Sequence, residues 1–161
     1  MIVSHSATLP IEKIAAAGKG PMWFQLYPQR ELERNRPVLE QVQEAGCRAV
    51  VVTVDQQASS YERALHYHNL VSRGGGSVTQ QSSSAARNRY RLNENRLWYE
   101  WRLFEDLRRL VKVPMLVKGV VTAEDARLCI EHGLNGIYVS NHGGRSVDYE
   151  ASCLEVLPEI V

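Results

Sequence analysis

The sequence predicts an α/β fold built on a parallel sheet, and two observations lead to that prediction. Five short runs rich in β-branched and aromatic residues recur along the chain, at 1–4, 22–27, 49–55, 115–119 and 136–140. Several are apolar almost throughout and end in a polar residue, as strands buried on both faces of a parallel sheet do. Stretches with helical periodicity lie between them. Strands that alternate with helices in this way indicate consecutive βαβ units.

The helical stretches are recognised by their periodicity and by the residues at their ends. In the first, Pro37 lies near the first turn and Gly46 lies just past the end. In the stretch 122–133, a Thr-Ala-Glu-Asp sequence beginning at Thr122 is typical of a helix start, and Gly133 is typical of a helix end. The four predicted stretches are 35–45, 98–110, 122–133 and, at the chain end, 154–161.

The polar residues that end the predicted strands are spaced like successive βα units. Ser4 and Tyr27, Tyr27 and Asp55, and Lys118 and His142 are each separated by about 25 residues. This rhythm is typical of the TIM (β/α)8 barrel, in which the carboxyl ends of the strands form the active-site face. Eight such units take about 250 residues. The sequence therefore predicts a partial barrel of about five parallel strands with intervening helices, or alternatively an open sheet.

One interval in this rhythm is longer than the others. Between Asp55 and Lys118 the chain contains a polar, Gly- and Ser-rich stretch at 71–96, which we interpret as a flexible insertion loop. The chain of 161 residues has the length of about one domain, and we expect 1–161 to form a single partial-barrel domain.

Composition disfavours several classes of function. With 19 Lys+Arg against 18 Asp+Glu, the chain provides no field that would attract a nucleic-acid backbone. No apolar run approaches the roughly 18 residues needed for a transmembrane segment. The 3 cysteines are widely spaced, which argues against a disulfide framework and fits a cytoplasmic location. His66 and His68 have no suitably spaced partner, so we predict no metal site.

Two strand-end residues are candidates for acid–base chemistry. Asp55 and His142 each follow a buried strand, so in a barrel both would point into one mouth, where a carboxylate can orient an imidazole. Alone, each is more readily explained by a local structural bond. His142, however, lies in a segment with two glycines, which let the backbone approach a ligand, and Arg145, whose planar fork suits a carboxylate.

Further polar side chains should face the same mouth. Alternation along the second strand places Gln25 and Tyr27 on one face, and Thr53 shares a face with Asp55. Lys118 ends an apolar strand, where an ammonium group should face an anionic or electron-rich partner. A Schiff-base aldolase would also use such a lysine. A third possibility is an inactive fragment that is inert or serves only as an assembly partner.

Taken together, these segments resemble the family of FMN-dependent α-hydroxy acid oxidases and dehydrogenases, which includes glycolate oxidase and lactate oxidase. The resemblance extends almost from end to end. It rests on Trp-Phe-Gln-Leu-Tyr at 23–27, Val-Val-Thr-Val-Asp at 51–55, Val-Lys-Gly at 117–119, Ser-Asn-His-Gly-Gly-Arg at 140–145 with Asp148, and Leu-Pro-Glu-Ile-Val at 157–161.

The resemblance implies a barrel that binds FMN and oxidises a small L-2-hydroxy acid, such as lactate or glycolate, to the 2-oxo acid. His142 would be the active-site base, and Asp55 would pair with its imidazolium. Arg145 would bind the substrate carboxylate, and Tyr27 would hydrogen-bond the substrate. Lys118 would neutralise negative charge near N1 of the flavin. The remaining hydrogen bonds to FMN would come from Ser4, Gln25, Thr53 and Ser140.

The sequence departs from the family pattern after Asp55, where members carry a proline and an arginine-containing run that ends in Asn. If Asn69 matches that Asn, Arg63 takes the place of a second carboxylate-binding arginine. Nothing corresponds to the family's first barrel strand or to its later phosphate-binding segments, so we interpret the chain as an internal portion of the barrel. The electron acceptor, whether oxygen, quinone or cytochrome, is left open, and the family suggests a homo-oligomer.

Overall fold

The sheet consists of parallel strands arranged in sequence order. The computed structural model describes residues 1–55, 99–144 and 149–161. Within these ranges, 5 strands pair side by side and in parallel, in the order β1-β2-β3-β4-β5. They are β1 (Ile2–Ser4), β2 (Trp23–Leu26), β3 (Val50–Thr53), β4 (Met115–Val120) and β5 (Gly136–Val139). The predicted α/β architecture with five parallel strands is confirmed.

Helices lie between the strands and after the last one. In the described ranges they are α1 (Ile11–Ala17), α2 (Leu32–Glu44), α3 (Trp101–Arg108), α4 (Ala123–Glu131) and α5 (Cys153–Ile160). The predicted start of α4 is confirmed, since the Thr122 side chain accepts a hydrogen bond from the Asp125 backbone N–H. Gly133, with φ of 69°, follows the end of that helix as expected. α1 has no counterpart among the predicted helical stretches.

The start of α2 differs from the prediction. The helix begins at Leu32, ahead of the predicted stretch 35–45, so Pro37 lies inside it. The cause is the buried side chain of Asn35, which is only 1% exposed. Its Oδ1 accepts from the Gln29 backbone N–H at 2.7 Å, and its Nδ2 donates to the Gln29 carbonyl at 2.9 Å. These bonds tie the preceding loop to the first turn and start the helix before the proline.

The two faces of the sheet have different characters because side chains alternate along each strand. One face packs against the helices and supplies apolar side chains such as Phe24, Val50 and Val117 to the main core. From the helices, Leu39 and Leu107 are fully buried in the same core. Each such burial contributes about 1.5–3 kcal/mol to stability. The opposite face, which we call the inner face, carries Ile2, Ser4, Gln25, Val51, Thr53, Lys118 and Tyr138.

Some sequence predictions concern residues outside the described ranges. The insertion loop at 71–96 and Trp98, the first residue of the predicted helical stretch 98–110, are among them. The interpretation of 1–161 as one domain also stays a prediction. Among the helices of the described ranges, none combines the length and the apolar character required to cross a membrane.

Candidate active site

Asp55 is the centre of a cluster of polar side chains at the carboxyl ends of β3, β4 and β5. Its Oδ1 lies 2.7 Å from His142 Nδ1, and its Oδ2 lies 3.0 Å from Lys118 Nζ. The Ser140 hydroxyl donates a further hydrogen bond to Oδ2 at 3.2 Å. The side chains of Asp55, His142 and Lys118 are only 9%, 13% and 19% exposed. The structure therefore brings together four residues that the sequence predicted as parts of one site.

The contacts of His142 determine which ring nitrogen carries hydrogen. An ionised carboxylate only accepts hydrogen bonds, so the 2.7 Å contact with Asp55 requires a hydrogen on Nδ1. Nε2, on the opposite side of the ring, then carries the lone pair of the neutral imidazole. Lys118 Nζ also lies 3.2 Å from Nδ1. The Nδ1–H of His142 and the ammonium group of Lys118 are both donors and lie side by side. The Asp55 carboxylate accepts from both and offsets their repulsion.

The register of the strands explains why these side chains meet. β3 and β4 pair Thr53 with Lys118, and the Val54 backbone N–H donates to the Lys118 carbonyl at 2.9 Å. The paired backbone therefore continues past the end of β3 and delivers Asp55 beside Lys118. At this point the next residue of β4, Gly119, has φ of 113°. A Cβ on Gly119 would lie 2.5 Å from the Asp55 Cβ, so only glycine permits this approach.

The loop after β5 holds His142 in an uncommon conformation. The residue has φ of 57°, which is in the left-handed region that non-glycine residues rarely adopt. Its backbone N–H donates to the Ser140 hydroxyl at 3.0 Å. The next residue, Gly143, donates its N–H to the Asn141 side chain at 3.1 Å. Such strain persists where surrounding contacts hold it, and it is concentrated at functional sites.

A second group of polar side chains extends across β1, β2 and β3 on the inner face. Gln25 Nε2 donates to the Thr53 hydroxyl at 2.8 Å, and Gln25 Oε1 accepts from the Ser4 hydroxyl at 3.3 Å. Gln25 and Thr53 are both buried. Beside this group lies a cavity of about 200 Å³, whose lining residues are Ile2, Ser4, Gln25, Val51, Lys118 and Tyr138.

Tyr27 follows the end of β2 and is half-buried. Its backbone N–H donates to His5 Nδ1 at 3.0 Å, and the two rings stack with centroids 6.3 Å apart. The sequence did not single out His5, because an isolated histidine after a short strand carries no recognisable pattern. Gly119 was also missed as a site residue, although glycine inside a strand does signal a close backbone approach.

Two predicted site residues, Arg63 and Arg145, expected to bind the substrate carboxylate, lie outside the described ranges. His66 and His68, for which we predict no metal site, also lie outside them. Within the ranges that the structure covers, no group of at least three His, Cys, Asp or Glu side chains is arranged to hold a metal ion.

Two of the cysteines are buried away from the Asp55 cluster. Burial raises the pKa of the Cys47 thiol to about 11, and burial together with the nearby Asp125 carboxylate raises the pKa of Cys129 to about 11. Cys153 is only half-buried and carries a free thiol, as the other two do. The two buried thiols therefore remain protonated and unreactive near neutral pH.

Comparison with known proteins identifies the family. Residues 1–161 match the family of FMN-dependent dehydrogenases. Glycolate oxidase 3 of Arabidopsis thaliana is 31% identical over 172 residues, which cover 100% of this chain and 46% of that protein. A peroxisomal (S)-2-hydroxyacid oxidase of the same organism is 31% identical over 178 residues, again 100% of this chain and 46% of the relative. The chain thus spans about half the length of the curated relatives it matches.

A solved structure gives the same result for the fold. A crystal structure of mandelate oxidase superposes with a TM-score of 0.84 and 31% sequence identity, over 99% of this chain and 45% of that one. The match places the five-stranded sheet as part of a TIM-barrel oxidase fold, as the sequence predicted. The chain belongs to the family of FMN-dependent dehydrogenases, whose cofactor is FMN.

Proposed function

We propose that the protein to which this chain belongs oxidises a small L-2-hydroxy acid to the 2-oxo acid, with His142 as the base. The observation that carries the proposal is the 2.7 Å contact between Asp55 and His142 Nδ1, which leaves the lone pair on Nε2. A base with that lone pair can accept a proton from the substrate. The names of the relatives, glycolate oxidase and 2-hydroxyacid oxidase, support this class of substrate.

The oxidation removes two electrons and two protons from the substrate. Bound FMN would accept the electron pair and the second of the two protons. His142 takes up one proton at Nε2, and Asp55 stabilises the resulting imidazolium through the short contact to Nδ1. Ser140 helps to fix that carboxylate by donating to its Oδ2. The cluster therefore prepares one nitrogen to receive a proton and stabilises the charge that the proton brings.

The side chains of the inner face fit an FMN ring. An isoalloxazine has a planar aromatic body and a polar edge that alternates between hydrogen-bond donors and acceptors. Ser4, Gln25 and Thr53 form a row of hydroxyl and amide groups that can match such an edge; Gln25 and Thr53 are buried and Ser4 is exposed, and the cavity beside them also has apolar walls. Lys118 adds a positive charge beside this row, suited to the electron-rich side of the ring.

We assign substrate binding to Tyr27, Arg145 and Arg63. Tyr27 can donate a hydrogen bond from its hydroxyl, and the two arginines can bind the carboxylate. The electron acceptor in this proposal is oxygen, a quinone or a cytochrome, and the assembly is a homo-oligomer. The cytoplasmic location stays a prediction.

The Schiff-base aldolase alternative receives less support. Lys118 Nζ lies 3.0 Å from the Asp55 carboxylate, an ion pair that involves a charged ammonium and not a nucleophilic amine. The aldolase hypothesis also gives no role to the short contact between Asp55 and His142. An inactive fragment is the other alternative, and titration with FMN distinguishes it from a flavin-binding oxidase.

Titration of the 161-residue chain with FMN tests the proposal. We expect saturable quenching of FMN fluorescence, followed by bleaching of the bound flavin when glycolate or L-lactate is added without oxygen. A folded chain that leaves FMN fluorescence unchanged would support the inactive fragment. Flavin that binds but does not bleach with either acid would contradict the proposed substrate class. Borohydride trapping of a substrate on Lys118 would favour the aldolase.

A further inference from the structure

His5 lies beside Tyr27, at the ends of β1 and β2, and contacts it in two ways. Its Nδ1 accepts the Tyr27 backbone N–H at 3.0 Å. Its ring also stacks on the Tyr27 ring, with an angle of 24° between the planes, and packs at a tilt against Phe24 with centroids 5.6 Å apart. One imidazole thus holds both the backbone and the ring of a residue at the mouth of the sheet.

The hydrogen bond fixes the protonation of His5. A backbone N–H can only donate, so Nδ1 must be free of hydrogen, and the neutral ring carries its hydrogen on Nε2. Burial lowers the pKa of His5, which keeps the ring neutral near neutral pH. The acceptor on which the Tyr27 backbone depends is therefore present under ordinary conditions.

Tyr27 lies where the sheet no longer determines its position. β2 ends at Leu26, and the Tyr27 N–H bonds to a side chain of the neighbouring segment instead of to a strand carbonyl. Pro28 follows, and a residue before proline is restricted to extended conformations. His5 and Pro28 thus both restrain the backbone of Tyr27, and the stacked His5 ring also contacts its phenol ring.

We propose that His5 is a positioning residue that holds Tyr27 in the orientation in which its hydroxyl binds the hydroxy acid. This inference rests on the proposed function, in which Tyr27 contacts the substrate. Through its side chain, His5 contacts Tyr27 on the substrate side and Phe24 in the core. Its contact with the FMN-side row is the bond from its backbone N–H to Gln25 Oε1, at 3.3 Å, which every non-proline substitution retains.

Two substitutions separate the hydrogen bond from the ring contact. His5→Phe keeps an aromatic ring against Tyr27 and removes the acceptor. His5→Asn keeps an acceptor oxygen near the position of Nδ1 and removes the ring. In FMN-loaded chains, we expect His5→Phe to weaken glycolate binding about tenfold, the effect of losing one hydrogen bond that orients a contact residue. His5→Asn should recover part of that loss, and the affinity for FMN should stay within about twofold of the unsubstituted chain.

A second measurement checks the contact without relying on activity. In the 15N-labelled chain, an N–H···N hydrogen bond gives a scalar coupling between the Tyr27 amide nitrogen and His5 Nδ1, and we expect that coupling to be present. Its absence would overturn the inference. So would a coupling that is present while His5→Phe binds glycolate as tightly as the unsubstituted chain.

If the proposed function is wrong, the expected result differs from the one expected if only the role of His5 is wrong. In that case the unsubstituted chain itself would bind FMN but not glycolate, and both His5 variants would behave in the same way. That result would remove the substrate role of Tyr27 and, with it, the inference. A loss of glycolate binding confined to His5→Phe, together with partial recovery in His5→Asn, supports it.

Discussion

The Asp55 side chain lies directly against the unsubstituted Cα of Gly119. A Cβ on Gly119 would be 2.5 Å from the Asp55 Cβ and 2.8 Å from the Asp55 backbone nitrogen, and real Cβ atoms do not approach other atoms so closely. The same glycine has φ of 113°, a conformation that other residues adopt only with strain. The carboxylate that binds His142 and Lys118 can thus occupy its position only because the neighbouring strand has a glycine at residue 119.

Gly119→Ala should therefore damage both stability and the Asp55 cluster. The added methyl group would overlap the Cβ and the backbone nitrogen of Asp55. These atoms are less free to move than the end of a flexible side chain, so the whole residue must be displaced. Together with the strain at positive φ, we expect a loss of about 3 kcal/mol in the free energy of unfolding. Urea denaturation measures this loss, and the His142 ring nitrogen shifts report whether the contact with Asp55 survives.

Gly133→Ala is the matched control for that substitution. Gly133 also has positive φ, 69°, but a Cβ there would meet nothing within 4 Å. We expect a loss of about 1 kcal/mol from backbone strain alone and unchanged His142 ring nitrogen shifts. Equal losses in the two variants would show that the contact between Gly119 and Asp55 has no special effect.

The stability of the chain should decrease in mild acid because of His5. Burial lowers the pKa of His5 in the folded state, so the unfolded state binds more protons as the pH falls below about 6.5. The contribution of His5 is complete above that value and is lost as the pH falls through the folded-state pKa. Urea denaturation at about pH 7.5 and about pH 5.5 should show a smaller decrease for His5→Asn than for the unsubstituted chain. Equal decreases would show that His5 titrates alike in both states.

The cysteines should differ in their reactivity toward a thiol reagent. Burial raises the pKa of Cys47 and Cys129 to about 11, so hardly any thiolate forms at neutral pH. Cys153 is half-buried at the start of α5. We expect Cys153 to react first in the native chain and all three thiols to react in urea. Rapid modification of Cys47 or Cys129 without denaturant would contradict the burial of those residues.

Lys118→Met should slow reduction of the bound flavin by glycolate, because it removes the positive charge beside the inner-face row and retains a side chain of similar length. By analogy with the loss of a single stabilising donor in an active site, we expect a decrease of about a hundredfold. Anaerobic stopped-flow absorbance measures the rate at equal flavin occupancy. An unchanged rate would remove Lys118 from the role of charge stabiliser.

The strands could be predicted from the sequence because their signal is local. The residues of β3, Val50–Thr53, are β-branched throughout and fully buried, which is the pattern of a central parallel strand. α1 escaped prediction because it has only 7 residues and no side-chain cap. The sequence predicts too late a start for α2 because Pro37 favours a first turn near residue 35, whereas the helix start depends on the buried bonds of Asn35 to Gln29.

The candidate site likewise contains residues that the sequence predicts and residues that it does not. Asp55, Lys118 and His142 stand out as polar residues at the ends of apolar runs, and the parallel topology alone brings such ends to one edge. The part played by His5 has no signal in the sequence, and that of Gly119 has only the weak signal of a glycine inside a strand. Gly119 matters because of a residue on another strand, and His5 because of a backbone N–H 22 positions away. These long-range contacts leave no periodic pattern in the sequence.

The role of His142 as the base is tested most directly by comparing anaerobic flavin reduction in the unsubstituted chain and in His142→Ala, both loaded with FMN to the same occupancy. We expect glycolate or L-lactate to bleach the flavin of the unsubstituted chain, and His142→Ala, with flavin still bound, to lose at least about a hundredfold in rate because the base is gone. Reduction of the His142→Ala flavin at the unsubstituted rate would contradict the assignment of His142 as the group that accepts the substrate proton.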